Sequence, residues 1–259
     1  MAIQHKLVSS ISEFVREVCA IRERWTRADR VYFDPWFRGQ SNSKWPLTPS
    51  LYRADLTDEE GEIRLEFRRK GLQLLESHVP QSDWDWYFLM QHYRCPTRLL
   101  DWTDSAFVAL FFALNSNAPS EQEVSANPAI WVLDPWWLNR TSVKWDSILD
   151  PDFDQAKPYL PDPFSGKLHR RLPIAIDPPH IARRVSVQRS RFTIHGKEFN
   201  GLELAARAAK ARLACIEIDR RKITRIRCDL HTCGITDTTV FPDLEALGRE
   251  LVRTKLSEW

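Results

Sequence analysis

The chain has no glycine-rich phosphate loop, no dinucleotide-binding glycine run, no His-Glu-x-x-His helix and no nucleophile elbow. Those absences set aside the enzyme classes built on each motif. No window approaches the roughly 18 apolar residues of a membrane span, and the opening Met1-Ala2-Ile3-Gln4-His5-Lys6 lacks the apolar stretch of a secretory leader. A cytoplasmic protein with no membrane partner is expected. Net charge is only +2, too small for a chain that coats nucleic acid with its whole surface, while a local basic face stays open. Cysteines are few and odd in number, five, so reduced thiols are expected and the Asn139-Arg140-Thr141 sequon has no role. Cys228, His231 and Cys233 lie close together, but the spacing lacks a second ligand pair and falls in a helical pattern; no metal is expected. Internal repeats, low-complexity tracts and a forced domain boundary are also missing. One domain over residues 1–259 follows, with an N-terminal helix in 1–30, a core from 31 onward and a proline-rich excursion at about 140–182.

What is present is an ordinary globular balance, 43% apolar with 28% charged, which argues against a disordered or fibrous chain. Tryptophan stands out at 11 residues, as core filler or as pocket lining. Ile11, Phe14, Val15, Val18, Ile21 and Trp25 recur at helical spacing behind Ser10 as a cap. Trp36-Phe37-Arg38 reads as a strand end that Gly39 terminates, followed by a polar loop to Leu51. A long helix is expected over residues 58–78, and another from Ser82 whose last turn carries Gln91-His92-Tyr93 before Pro96. The stretch from Thr97 to Trp102 reads as a loop feeding an apolar, buried helix after Thr103 or Asp104. Strands are expected at Ala129–Leu133, Arg191–His195 and Ala214–Asp219, with helices over 202–210, 222–233 and 242–256. Strands and helices mix without βαβ alternation. The class is therefore α+β, with a mixed or antiparallel sheet surrounded by helices.

Three groups of residues carry candidate chemistry. Phe37-Arg38-Gly39-Gln40 places a guanidinium beside a residue with no side chain, which suits a pyrophosphate or else a buried carboxylate next to a turn. Gln91, His92 and Tyr93 bring an amide, an imidazole and a phenol into one helical turn, fit to read a base edge or to cap carbonyls. Thr97-Arg98 and Asp101-Trp102-Thr103 form the junction before the apolar helix, where Asp101 is expected to pair with Arg98. Arg183, Arg184, Arg189 and Arg191 make either a phosphate-contacting strip or a solvated face.

Phe37-Arg38-Gly39-Gln40, Gln91-His92-Tyr93 and Pro96-Thr97-Arg98-Leu99-Leu100-Asp101-Trp102-Thr103, with Ala109-Leu110-Phe111-Phe112-Ala113 behind them, resemble the FRG-domain family. The likeness runs from about Val31 to the Phe241-Pro242-Asp243-Leu244 block. A weaker similarity is to mono-ADP-ribosyltransferases of the Arg-Ser-Glu class, and it implies an ADP-ribosyltransferase-like fold with NAD as substrate. On that likeness Arg38, His92, Thr103 and Gln188 are the catalytic candidates. Arg38, Gly39, Gln40, Gln91, Tyr93, Thr97, Arg98, Asp101, Trp102 and Phe192 bind NAD, with Arg38 on its phosphates and Gly39 on its nicotinamide amide. The chain departs from the pattern where a catalytic glutamate is expected before Phe192, offering Arg183, Arg184 and Gln188; Glu198, Glu203 and Asp101 are the nearest substitutes. The resemblance implies an intracellular toxin or anti-phage effector of bacterial type, acting on a nucleic acid or protein and held by an inhibitory partner. The alternative is a non-catalytic nucleotide- or nucleic-acid-binding module.

Overall fold

The computed structural model describes residues 3–26, 34–75, 79–115, 126–160, 170–177, 190–208 and 210–256. Its centre is a seven-stranded mixed sheet in the order β1-β7-β4-β2-β3-β6-β5. The strands are β1 (Gln4–Val8), β2 (Trp36–Gln40), β3 (Leu99–Thr103), β4 (Ala129–Leu133), β5 (Ile174–Ile176), β6 (Ser190–Ile194) and β7 (Leu213–Ile218). Among the seven described strands β1 and β7 pair in parallel and the other neighbours are antiparallel. The α+β class expected from the sequence is what the chain adopts. Among the described residues no helix is long and apolar enough to cross a membrane.

Among the described residues ten α-helices surround the sheet: α1 (Ile11–Trp25), α2 (Ser50–Arg53), α3 (Glu60–Gly71), α4 (Asp83–His92), α5 (Ala106–Asn115), α6 (Pro135–Val143), α7 (Gly201–Ala205), α8 (Ile223–Thr232), α9 (Asp237–Val240) and α10 (Leu244–Leu256). Local chemistry sets their starts. Ser10 Oγ accepts from Glu13 N at 3.2 Å, Ser82 and Asp85 form a reciprocal capping box, and Asp134 caps α6 with Pro135 in the first turn. Asp243 Oδ1 accepts from Ala246 N at 2.8 Å, so α10 starts just after Pro242 rather than on it. Arg94 takes a left-handed backbone with φ of 60° and ends α4 two residues before Pro96.

Alternation along the strands sorts the core into layers. On one sheet face Phe37, Ile130, Val132 and Ile216 pack against α1, α5 and α8. Farther along that face Leu99, Phe192 and Ile194 meet Trp84, Tyr87, Phe88 and Met90, all on α4. The opposite face carries Trp36, Trp102 and Trp131 under Trp137 and Leu138 of α6 and Leu202 and Ala205 of α7. Most of these tryptophans fill the core, at about 25 cal/mol for each Å² of apolar surface withdrawn from water.

Four expectations are corrected. Residues 1–30 hold strand β1 as well as a helix; β1 is an edge strand with four exposed residues in five, so its own pattern carries little signal. Gly39 does not end β2, which runs through to Gln40. The stretch after Thr97 is not a loop at a helix N-terminus but β3, in the interior of the sheet. Asp101 is a poor strand former, yet five consecutive pairs with β6, from Leu99 opposite Ile194 to Thr103 opposite Ser190, override that local preference. Finally, the helices expected over 58–78 and 202–210 are shorter, Glu60–Gly71 and Gly201–Ala205.

Candidate functional site

The ladder between β2 and β3 consists of one pair, Phe37 opposite Thr103. Past that pair Arg38 bridges the two strands, its Nη1 donating to the Asp101 carbonyl at 2.8 Å. The same nitrogen lies 4.0 Å from Asp101 Oδ2. Gln91 Nε2, in the last turn of α4, donates to that carboxylate oxygen at 2.7 Å. Gln91 Oε1 accepts from the Thr97 hydroxyl, whose oxygen accepts from Leu99 N at 3.1 Å. An amide is therefore held in one orientation, with its N–H₂ toward Asp101.

Asp101 is the one exposed residue of β3, its side chain 57% open although the strand lies inside the sheet. Its face of the sheet is covered by α4 on the side of Leu99 and by α5 on the side of Phe37. Desolvation raises its pKa, against the opposing pull of Arg38, of the Gln91 hydrogen bond and of Arg53. Arg38 is far more enclosed, at 18% side-chain exposure. Burial lowers its pKa, Asp101 supports its charge and Arg53 opposes it. Arg53, whose Nη1 donates to the Thr48 carbonyl at 2.7 Å, adds a second positive charge to these surroundings. Among the described residues Arg38 Nε, buried, has no hydrogen-bond partner. A buried cation with a spare donor beside a net positive charge is suited to an anion.

The other predicted residues are distributed differently. Arg98 is fully buried and pairs with Glu60, not Asp101: its Nε lies 2.9 and 3.0 Å from the two carboxylate oxygens. Its terminal nitrogens donate to the His195 and Tyr159 carbonyls, and Tyr87 Oη donates to Glu60 at 2.6 Å. All of that joins α3, α4, β3 and the end of β6 into one clasp. Gly39 has no side chain because α5 lies on it: a Cβ there would stand 2.0 Å from the Ala109 carbonyl oxygen and 2.5 Å from Ala113 N. The space that the missing side chain leaves is taken by a helix backbone. Gln40 accepts from Trp131 Nε1 at 2.6 Å inside the core, and Trp102 Nε1 donates to Thr193 Oγ1 at 3.0 Å. Phe192 packs against Phe88 with ring centroids 5.3 Å apart.

Thr103 is buried and accepts from Ser105 N at 3.2 Å, and Ser105, not Thr103 or Asp104, caps α5 by accepting from Val108 N. His92 meets Tyr93 edge-on at 5.0 Å, with the Tyr93 ring largely in solvent. Gln188, Arg183, Arg184 and Arg189 lie outside the described residues. Arg191 is engaged by Asp177 at 2.8 Å and Asp104 at 3.1 Å, so it belongs to an ion-pair network. Of the substitute carboxylates, Glu198 pairs with Arg171 and Glu203 accepts from Leu47 N at 2.8 Å. Asp101 is the one that meets Arg38. Arg53 was missed by the sequence reading, since nothing local to Leu51-Tyr52-Arg53 says that α2 brings it near Arg38.

Arg38, Gln91 and Asp101 all fall between the start of β2 and the end of α5. Residues 34–122 match the FRG domain. The match supports the FRG-family resemblance and covers the whole Arg38–Gln91–Asp101 cluster, while β4 to β7 lie beyond it. No curated protein and no solved structure matches the chain.

Proposed function

We propose that the Arg38–Gln91–Asp101 cluster beside β3 of the FRG region binds NAD and that the protein is an ADP-ribosyltransferase-like enzyme acting on a nucleic acid or protein acceptor. The observation that carries this reading is the unspent buried donor of Arg38 next to an open carboxylate. A pyrophosphate takes parallel hydrogen bonds from a guanidinium, and Arg53 adds positive charge nearby. In such a reaction the nicotinamide–ribose bond breaks, the electron pair leaves with nicotinamide and the acceptor nucleophile bonds to the ribose carbon. Positive charge develops on the ribose as the bond opens, so a fixed carboxylate stabilises the transition state more than the ground state. Asp101 fills that role here in place of the glutamate absent before Phe192, and Gln91 orients it. The ADP-ribosyltransferase-like fold, and the role of intracellular toxin or anti-phage effector under an inhibitory partner, belong to the same reading and rest on the resemblance.

The test is incubation of the protein with NAD labelled in the adenylate and in the nicotinamide, together with lysates and nucleic acid. Nicotinamide release and transferred label, both lost in Arg38→Ala and Asp101→Asn, are expected. Neither product across varied acceptors would overturn the enzyme claim. A second reading, a nucleotide-binding module without turnover, draws on the Gln91 hydrogen bond that already engages Asp101. Thermal-shift titration with NAD, ADP-ribose and oligonucleotides separates the two, because binding without product favours the module.

A further inference from the structure

A second cluster of reactive side chains lies two strands from Arg38, at the β1 edge of the sheet. His5 is the register partner of Cys215 across the parallel β1–β7 ladder, and Glu217 lies two residues farther along β7. The period of two along a strand puts Cys215 and Glu217 on one face, and pairing puts His5 there as well. One ligand atom from each, an imidazole nitrogen, a sulfur and a carboxylate oxygen, lies within 4.8 Å of the other two. His5 Nδ1 and Glu217 Oε1 are 3.2 Å apart. Tetrahedral zinc, with bonds of about 2.0–2.3 Å, separates its ligand atoms by roughly 3.3–3.6 Å. The nitrogen–oxygen spacing already fits, and the sulfur, within 4.8 Å of both partners, is brought to bonding distance by rotation of the half-exposed His5 side chain.

The surroundings are those of a ligand set. Asn127 Nδ2 donates to Glu217 Oε2 at 3.1 Å, and Asn127 Oδ1 accepts from Arg220 N, so the amide is pinned with its donor toward the carboxylate. Trp131, on β4 opposite Cys215, meets the His5 ring edge-on at 6.1 Å and limits its swing. From these placements the structure assigns a metal site to His5, Cys215 and Glu217, for a borderline divalent ion of the zinc class with water as fourth ligand. Sulfur and nitrogen ligands disfavour magnesium and calcium, which take oxygen. Burial first, and then Glu217, push the Cys215 thiol up to about 12. The free protein thus holds the thiol protonated, and its proton passes to solvent as the metal–sulfur bond forms. Such an ion ties edge strand β1 to β7 by three side chains in addition to the backbone ladder.

Cobalt(II) titration of the full chain, followed by zinc displacement, tests the assignment. One equivalent should give a thiolate-to-cobalt charge-transfer band in the near ultraviolet, lost in Cys215→Ser and unchanged when Cys228 and Cys233 are replaced together. His5→Ala should weaken binding more than about ten-fold, and Asn127→Ala by roughly ten-fold. His5 is half exposed, so its variant remains informative should Cys215→Ser fail to fold. A band that survives Cys215→Ser, no band at one equivalent, or undiminished affinity in His5→Ala would each overturn the assignment.

Discussion

Arg98 and Asp101 are three residues apart in the chain, yet the ion pairs they make belong to different kinds of structure. The Arg98–Glu60 pair is dry and saturated: both partners are buried, and the guanidinium donates to two carbonyls as well as to the carboxylate. Desolvation opposes the Arg98 charge, but Tyr87 and Glu60 outweigh it and the Arg98 pKa is raised. The Arg38–Asp101 pair is loose at 4.0 Å, open on the acid side, and leaves a buried donor unspent. Here burial wins over the partner at Arg38 and lowers its pKa. A saturated pair serves the fold, whereas an under-coordinated one is suited to a ligand that the fold does not supply.

Breaking the saturated pair should have the largest effect. Arg98→Ala leaves Glu60 buried and uncompensated and is expected to cost about 3–5 kcal/mol in urea unfolding. Gly39→Val forces β2 and α5 apart and should cost about 3 kcal/mol, toward the upper end for overpacking, by the same measurement.

His195 gives an intermediate effect that depends on pH. Burial holds its folded pKa down at about 3, below the ordinary 6.5, while the Glu198 backbone acts in the opposite direction. The unfolded chain therefore binds a proton that the folded chain refuses. Stability is full above 6.5 and falls as the pH drops toward 3. Between about pH 7 and about pH 5 the loss from this group should be about 2 kcal/mol. A His195→Gln variant should show a correspondingly flatter pH dependence of the urea midpoint.

The smallest stability effect is expected at the other pair. Because the folded Asp101 pKa is raised, folding disfavours its charge, and that deficit is fully present above the folded pKa. Asp101→Asn should leave the urea midpoint at neutral pH unchanged or slightly raised while abolishing ligand response. Should it instead destabilise as strongly as Arg98→Ala, the contrast between the two pairs would collapse.

Much was legible before folding because its causes are local. Ser10 and Ser82 mark helix starts whose capping bonds the structure contains, and the uninterrupted apolar run of β4 is buried at all five positions, whereas α6, behind Asp134-Pro135, falls in a stretch whose prolines read as irregular. Arg38, Gln91 and Asp101 were all singled out, since a chain seldom gathers such polar groups beside a glycine and an apolar helix without a use for them. Partner choice was not legible. Proximity in the chain favours Arg98 for Asp101, but the register of β3 turns residues 98 and 101 to different neighbours. Arg98 then meets Glu60, 38 residues away, while Asp101 meets Arg38, 63 residues away. Nor does any local pattern place Arg53 near Arg38 or bring His5 beside Cys215. By itself the sequence determined most of the longer helices, the buried runs of β4, β6 and β7 and which residues are too polar to be idle, through propensity, capping and periodicity. Only the tertiary structure decided which charges are spent on the fold and which remain available, because that depends on what surrounds each charge once the sheet has formed.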